Sequence, residues 1–126
     1  MMLKAGLLAL VASFSFGSVH NITPDNFAEN ILCNPQPAVV DFYAGWCENC
    51  PQMSAYFHEI CDENNLYCGA YDVDKGGEIP ANYGVDGLPA FRFFCNGEED
   101  ESRRIDGALP KEQLEKEILD FIEECN

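Results

Sequence analysis

The segment that decides the fold runs from residue 38 to residue 50 and reads Ala-Val-Val-Asp-Phe-Tyr-Ala-Gly-Trp-Cys-Glu-Asn-Cys. It opens with a continuous apolar run interrupted only by Asp41, which is typical of a central strand covered on both faces. Beyond the second cysteine, apolar residues recur at helical spacing, which predicts a helix that ends near Asn64. We therefore expect Cys47 and Cys50 to lie between a buried strand and the start of a helix.

Two cysteines separated by two residues at a helix N-terminus suit disulfide chemistry. Both sulfurs can meet across one helical turn, and the free N–H groups and dipole of the helix stabilise a thiolate at Cys47. A stabilised thiolate attacks a disulfide, and Cys50 then resolves the mixed disulfide. The same spacing occurs in zinc sites, but no second Cys-x-x-Cys or Cys/His pair is present to complete four ligands. We therefore predict a redox pair and no metal site.

The remaining predicted elements alternate between strands and helices. Their order is β-α-β-α-β-α-β-β-α, which indicates an α/β fold with a mixed central sheet and helices on both faces. Before the segment above, we predict an edge strand at 20–22 and a helix that starts at Thr23 and has an apolar side of Phe27, Ile31 and Leu32. After it, we predict a strand at 66–73, a short helix at 79–83 and a strand at 90–95. A hairpin turn at 96–97, with an acidic and solvated tip at 98–101, then leads to a strand around 102–105 and to a last helix from Pro110.

The composition describes one acidic globular domain. The chain has 126 residues, 47% of them apolar, which is enough for one hydrophobic core and too little for two ordinary domains. The formal net charge of −15 argues against nucleic acid or anionic lipid as a partner, since both require a cationic surface. We expect a monomer that binds no nucleic acid.

Residues 1–17 have the pattern of a secretory signal peptide. Lys4 precedes an uncharged apolar stretch at 5–16, and small residues follow where a signal peptidase would cut. The stretch is too short and too rich in Gly and Ser to span a bilayer comfortably; an uncleaved anchor or a buried strand are the alternatives. We predict a mature domain at 18–126 that does not enter the membrane, in the endoplasmic reticulum lumen or outside the cell.

Residues 41–50, Asp-Phe-Tyr-Ala-Gly-Trp-Cys-Glu-Asn-Cys, resemble the active-site segment of the thioredoxin superfamily, which reads D/E-F-W/Y-A-x-W-C-x-x-C. Further matches follow in the family's order, and the resemblance extends from His20 to Glu124. Residues 83–89, Tyr-Gly-Val-Asp-Gly-Leu-Pro, look like the segment that leads to the family's cis-proline. Residues 20–27 look closer to protein disulfide isomerase domains than to cytosolic thioredoxin. The resemblance implies a thioredoxin fold and a thiol-disulfide oxidoreductase, a disulfide isomerase or reductase.

The resemblance also implies a role for each matching residue of the reacting pair. Cys47 would be the exposed nucleophile and Cys50 the buried resolving thiol. Asp41 would be the buried carboxylate behind Cys50 that helps to move its proton. The cysteine pair is itself the redox group, so no dissociable cofactor is implied.

Three further residues would bind the substrate, which the resemblance identifies as a protein that carries thiols or disulfides. Trp46 would flank the site as an apolar platform. Pro89 would be the cis-proline that faces the cysteine pair, and the backbone of Leu88 would contact an extended client segment.

Several positions depart from the family pattern. Glu48-Asn49 replaces the Gly-His that isomerases carry between the cysteines, and an acid beside Cys47 disfavours its thiolate. Ala70 stands where the family often has a buried Lys, and Ala108 where isomerases often have an Arg. We therefore expect a more reducing pair with slower proton handling. The alternative is a redox-weak client-binding or adaptor module of the same fold.

Five other cysteines remain after the pair is assigned. Cys61 lies on the buried side of its helix and Cys68 begins the next strand, so this is the first candidate for a structural bridge; two inert buried thiols are the alternative. Cys125 continues the apolar side of the last helix, and we expect it to pack without reacting. The odd total leaves at least one thiol free or intermolecular.

Overall fold

The structure is a computed structural model that describes residues 19–125. The predicted signal peptide at 1–17 lies outside the described residues. Strand β2 (Ala38–Tyr43) is the innermost element, and all of its residues are buried except the half-buried Tyr43. The apolar run around Asp41 therefore forms the central strand, as predicted.

The described chain forms one sheet with helices packed against it. The other strands are β1 (Val19–Ile22), β3 (Tyr67–Asp72), β4 (Ala90–Cys95), β5 (Glu98–Glu99) and β6 (Ile105–Asp106). The helices are α1 (Cys50–Glu63), α2 (Ile79–Asn82) and α3 (Lys111–Glu124), with a π-helical turn at Ala28–Leu32 and 3-10 turns at Val73–Lys75 and Glu101–Arg103. None of the helices within residues 19–125 has the length and apolar character needed to cross a bilayer.

The sheet is mixed and has the order β1-β3-β2-β4-β5. Strands β1 and β2 both run parallel to β3, whereas β4 runs antiparallel to β2. Strands β5 and β6 are both antiparallel to β4, β6 at its beginning and β5 at its end. This arrangement leaves β2 with a hydrogen-bonded neighbour on each side, so the N–H and C=O groups of this buried strand find partners in β3 and β4.

Helices cover both faces of the sheet, which confirms the predicted α/β sandwich. On one face, α1 and α3 pack their apolar sides against alternate residues of the strands, with Phe57 and Phe121 in contact with Phe91 and Phe93. The other face is covered by the π-helical turn and the residues around α2. Because side chains alternate along a strand, Asp41 shares the α1 face of β2 with Val39.

The chain after β4 differs from the prediction. The strand expected around 102–105 is a 3-10 turn that leads into β6, and the acidic tip expected at 98–101 begins with β5. The side chain of Glu99 is only 8% exposed, because the Arg104 guanidinium donates to both of its carboxylate oxygens at 2.7 and 2.8 Å. An ion pair thus holds an acidic strand where the sequence alone suggests a solvated turn.

The first helical turn also differs in one side chain. Phe27 and Ile31 are buried, as predicted, but Leu32 is 38% exposed. Consecutive positions on a helical turn face different directions, so Ile31 and Leu32 do not both reach the core.

Two disulfides hold elements together away from the predicted redox pair. The bridge between Cys61 and Cys68 is confirmed, and both residues are fully buried between α1 and β3. The expectation that Cys125 only packs is wrong, because it is bonded to Cys95 where the end of α3 meets the end of β4. Cys33 is an exposed free thiol.

Candidate active site

Cys47 and Cys50 are joined by a disulfide in the turn between β2 and α1. The turn is closed by backbone hydrogen bonds, from the Cys47 N–H to the Ala44 carbonyl at 3.2 Å and from the Cys50 N–H to the Cys47 carbonyl at 3.3 Å. Helix α1 begins at Cys50, and Pro51 follows in its first turn, where the missing N–H has no intrahelical partner to lose. The pair therefore lies at a helix N-terminus, as its spacing predicts.

The two cysteines differ in exposure in the order expected. Cys47 is 8% exposed and Cys50 is 2% exposed. We expected an exposed Cys47, but in the disulfide form Cys47 is largely covered, because Tyr43, Val73 and Leu88 pack against the pair. Cys47 is still the more exposed residue of the two.

The loop that packs against the disulfide contains the Leu88–Pro89 peptide bond, which is cis as the resemblance implies. Leu88 lies against the cysteine pair. The Pro89 carbonyl accepts a hydrogen bond from the Gly107 N–H at 2.8 Å, which ties this loop to the end of β6. The backbone of Leu88 is therefore held beside the disulfide.

Arg92 on β4 anchors the same loop, and sequence reasoning missed it. The residue is fully buried, and its Nε and Nη2 donate to the carbonyls of Tyr83 and Gly84 at 2.7 and 3.0 Å. Nη2 also pairs with the Asp106 carboxylate at 2.9 Å. A charged residue inside the apolar run 90–95 was the available signal, since a buried cation requires acceptors that meet it.

Trp46 lies immediately before Cys47 and is 70% exposed. Its indole Nε1 donates to the Asp74 carboxylate at 3.1 Å. The ring is therefore an exposed apolar surface beside the disulfide, as expected, but with a carboxylate fixed at its polar edge.

Asp41 is 1% exposed and lies in the central strand β2. Its Oδ2 accepts a hydrogen bond of 2.7 Å from the Ser54 hydroxyl on α1, and its buried Oδ1 has no hydrogen-bond partner within residues 19–125. Burial raises the pKa of Asp41 from 3.8 to about 7, and the Ser54 hydrogen bond opposes part of that rise. The carboxyl can therefore take up and release a proton near neutral pH.

The two residues opposite Asp41 in the neighbouring strands carry no charge. In the ladders, Asp41 lies opposite Ala70 of β3 and Phe91 of β4. The sequence comparison with the family pattern drew attention to Ala70, and the structure shows that it is the direct neighbour of the acid. Ser54, by contrast, carries no sequence signal other than its place four residues after Cys50.

The site contains no arrangement for a metal. Among residues 19–125, no group of three or more His, Cys, Asp or Glu side chains is positioned to hold an ion.

Comparisons with known proteins agree with this geometry. The family model described as Thioredoxin matches residues 18–120. A thioredoxin of Allochromatium vinosum is 32% identical over 99 residues, covering 77% of this chain and 91% of that protein. A thioredoxin of Mycobacterium tuberculosis is 32% identical over 107 residues, covering 83% and 90%. Among solved structures, a mutant thioredoxin from Halobacterium salinarum shares the fold with a TM-score of 0.78 at 21% identity, over 88% of this chain and 96% of that one.

We predict that replacing Asp41 by Asn removes a pH-dependent cost in stability. Between the ordinary carboxyl value of 3.8 and the folded value of about 7, the folded protein keeps a proton that the unfolded chain releases. Stability contributed by this group is therefore full below the unfolded pKa and falls as the pH rises to the folded pKa. The advantage of Asp41→Asn over the parent should grow by about 4 kcal/mol across that window.

Urea unfolding of the oxidised proteins across this pH range measures the difference. The matched control is Asp62→Asn, which replaces an exposed acidic side chain on α1. Its stability relative to the parent should not grow with pH in this way. A difference between Asp41→Asn and the parent that stays constant with pH would mean that Asp41 does not titrate abnormally.

Proposed function

The chain belongs to the thioredoxin family and is a thiol-disulfide oxidoreductase of that type, and we propose that it acts on protein disulfides in the secretory pathway through Cys47 and Cys50. The observation that carries the proposal is the position of this pair. It lies at the start of α1, against the loop with the cis Leu88–Pro89 bond, and four residues before Ser54, whose hydroxyl donates to the buried carboxyl of Asp41.

The proposed cycle is a pair of disulfide exchanges. In the reducing direction, the thiolate of Cys47 attacks one sulfur of a client disulfide, and the other client sulfur leaves as a thiolate. Cys50 loses its proton to Asp41 and attacks the Cys47 sulfur, which breaks the mixed disulfide and releases the second client thiolate. The client gains two electrons, and the protein ends with the Cys47–Cys50 disulfide seen in the structure.

The surroundings of the pair support an extended protein segment as the client. The backbone of Leu88 is held beside the disulfide through the Pro89 and Arg92 hydrogen bonds, so it can pair with a client strand. Trp46 offers a large exposed ring next to Cys47, which can cover an apolar client side chain. A monomer suffices for this arrangement, because every group named here comes from one chain.

Within the family, we propose that this domain is similar to those of protein disulfide isomerase, and that its Cys47/Cys50 pair is more reducing than is usual for them. The resemblance of residues 20–27 to protein disulfide isomerase domains supports the first part. Glu48 supports the second, because it is exposed between the cysteines and its negative charge disfavours a thiolate at Cys47.

The secretory location rests on two observations. Residues 1–17 have the pattern of a signal peptide. The Cys61–Cys68 and Cys95–Cys125 disulfides are expected of a protein that folds in an oxidising compartment.

We predict that the two active-site cysteines fail differently when replaced. Cys47→Ser should reduce a protein disulfide such as that of insulin no faster than dithiothreitol alone, because the attacking thiolate of the pair is lost. Cys50→Ser should accumulate a mixed disulfide between Cys47 and the client, detectable by mass spectrometry, because nothing resolves it. Cys33→Ser removes the exposed free thiol and should keep full turnover. If Cys50→Ser traps no client while the parent binds clients tightly without turnover, the protein is an adaptor.

The location is tested by expression of the full chain in a eukaryotic host. We expect the recovered protein to begin near residue 18 and to be found in the endoplasmic reticulum or the medium. Leu8→Arg with Leu10→Arg places charges in the apolar stretch and should keep the protein in the cytosol with its first residues intact. A parent chain that stays uncleaved in the cytosol would contradict the secretory assignment.

A further inference from the structure

Ser54 is the hydrogen-bond partner of the buried Asp41 carboxyl. Its hydroxyl donates to Oδ2 at 2.7 Å, while Oδ1 has no partner within residues 19–125. Asp41 is 1% exposed, whereas Ser54 is only half-buried. Ser54 therefore joins a carboxyl with almost no exposed surface to a residue that is partly open to solvent.

Ser54 also lies on the part of α1 that carries the resolving cysteine. It follows Cys50 by four residues, and side chains at this spacing project from the same face of a helix. The face of α1 that presents Cys50 is thus the one that contacts Asp41.

The other groups around Asp41 are neutral or negative. Its ladder neighbours, Ala70 and Phe91, carry no charge. Tyr43 at the end of β2 lies opposite Asp72 at the end of β3, and the only charge that either side chain can carry is negative. Arg92 follows Phe91 on β4 and therefore projects to the opposite face of the sheet. No cation among the described residues lowers the pKa of Asp41; the Ser54 hydrogen bond alone does.

We propose that Ser54 is a positioning residue for the resolving step: its hydroxyl holds the Asp41 carboxylate ready to accept the proton of Cys50 and then carries that proton to solvent. The proposal rests on the dithiol-disulfide cycle described above. Ala70 stands where the family often has a buried lysine. Ser54 on α1 thus gives the Asp41 carboxylate the support that this lysine would give.

The proton balance of this step is simple. The Cys50 thiol transfers its proton to the Asp41 carboxylate, and the Cys50 thiolate forms the bond to the Cys47 sulfur as the client thiolate leaves. A serine hydroxyl donates one hydrogen bond and accepts others, so it can donate to the carboxylate before the transfer and accept from the carboxylic acid after it. The proton then passes through the Ser54 hydroxyl to water, and Asp41 returns to its charged form.

The test measures the resolving step directly. In a Cys33→Ser background, Cys47 is converted to a mixed disulfide with thionitrobenzoate, and the rate at which Cys50 releases the coloured thiolate is followed against pH. We expect Ser54→Ala to move the midpoint of this profile upward by about one pH unit, since a hydrogen bond to a charged group is lost. Release should slow roughly tenfold on the acidic side of the profile and change less than about twofold on its alkaline side.

Two further variants make the result decisive. Ser54→Thr keeps the hydroxyl and should restore the parental midpoint, a rescue that a purely structural role would not give. An unchanged midpoint in Ser54→Ala, or a midpoint shifted equally in Ser54→Thr, would overturn the role of Ser54 while leaving the cycle intact. Release that continues at the parental rate in Cys50→Ser would instead overturn the cycle itself.

Discussion

The site depends on a carboxyl group that the fold holds out of water. Asp41 lies in the innermost strand, where its side chain accepts a hydrogen bond from the Ser54 hydroxyl. Its charged form is still unfavourable there, and the favourable packing of the rest of the sheet offsets that cost in free energy. That cost raises its pKa to about 7, which makes the group a base of suitable strength for a thiol proton near neutral pH. The same burial thus lowers stability and prepares the chemistry.

The scaffold around this acid is built to hold two backbone segments against each other. One is the turn that carries the cysteines, which ends where α1 begins. The other is the loop with the cis Leu88–Pro89 bond. The buried Arg92 holds this loop by donating hydrogen bonds to the carbonyls of Tyr83 and Gly84. Because both segments are fixed by hydrogen bonds within the domain, the disulfide and its proposed client groove need little rearrangement to meet a substrate.

Much of this arrangement could be predicted from sequence because it is local. The run around Asp41 and the spacing of Cys47 and Cys50 fix a strand, a turn and a helix start without reference to distant residues. The bridge from Cys61 to Cys68 follows from one helix side and the next strand, only seven residues apart. The fold class follows from the order of the elements, and it is confirmed.

The features that escaped prediction depend on how distant elements meet. The bond between Cys95 and Cys125 spans 30 residues and requires the end of α3 to reach the end of β4. Glu99 is held in β5 by its ion pair with Arg104, whereas the local run of acidic residues predicts a solvated turn. The contact of Ser54 with Asp41 is set by the rotation of α1 over the sheet, which spacing along the helix does not determine by itself.

The central claim is tested most directly by the reduction potential of the Cys47/Cys50 pair. This potential is measured by glutathione titration of residues 18–126, followed by mass spectrometry of alkylated peptides. We expect one reversible two-electron transition in this pair, with a potential below the isomerase value of about −180 mV and toward the thioredoxin value of about −270 mV. If these two cysteines form no reversible disulfide, the oxidoreductase account is contradicted and the domain serves only to bind clients.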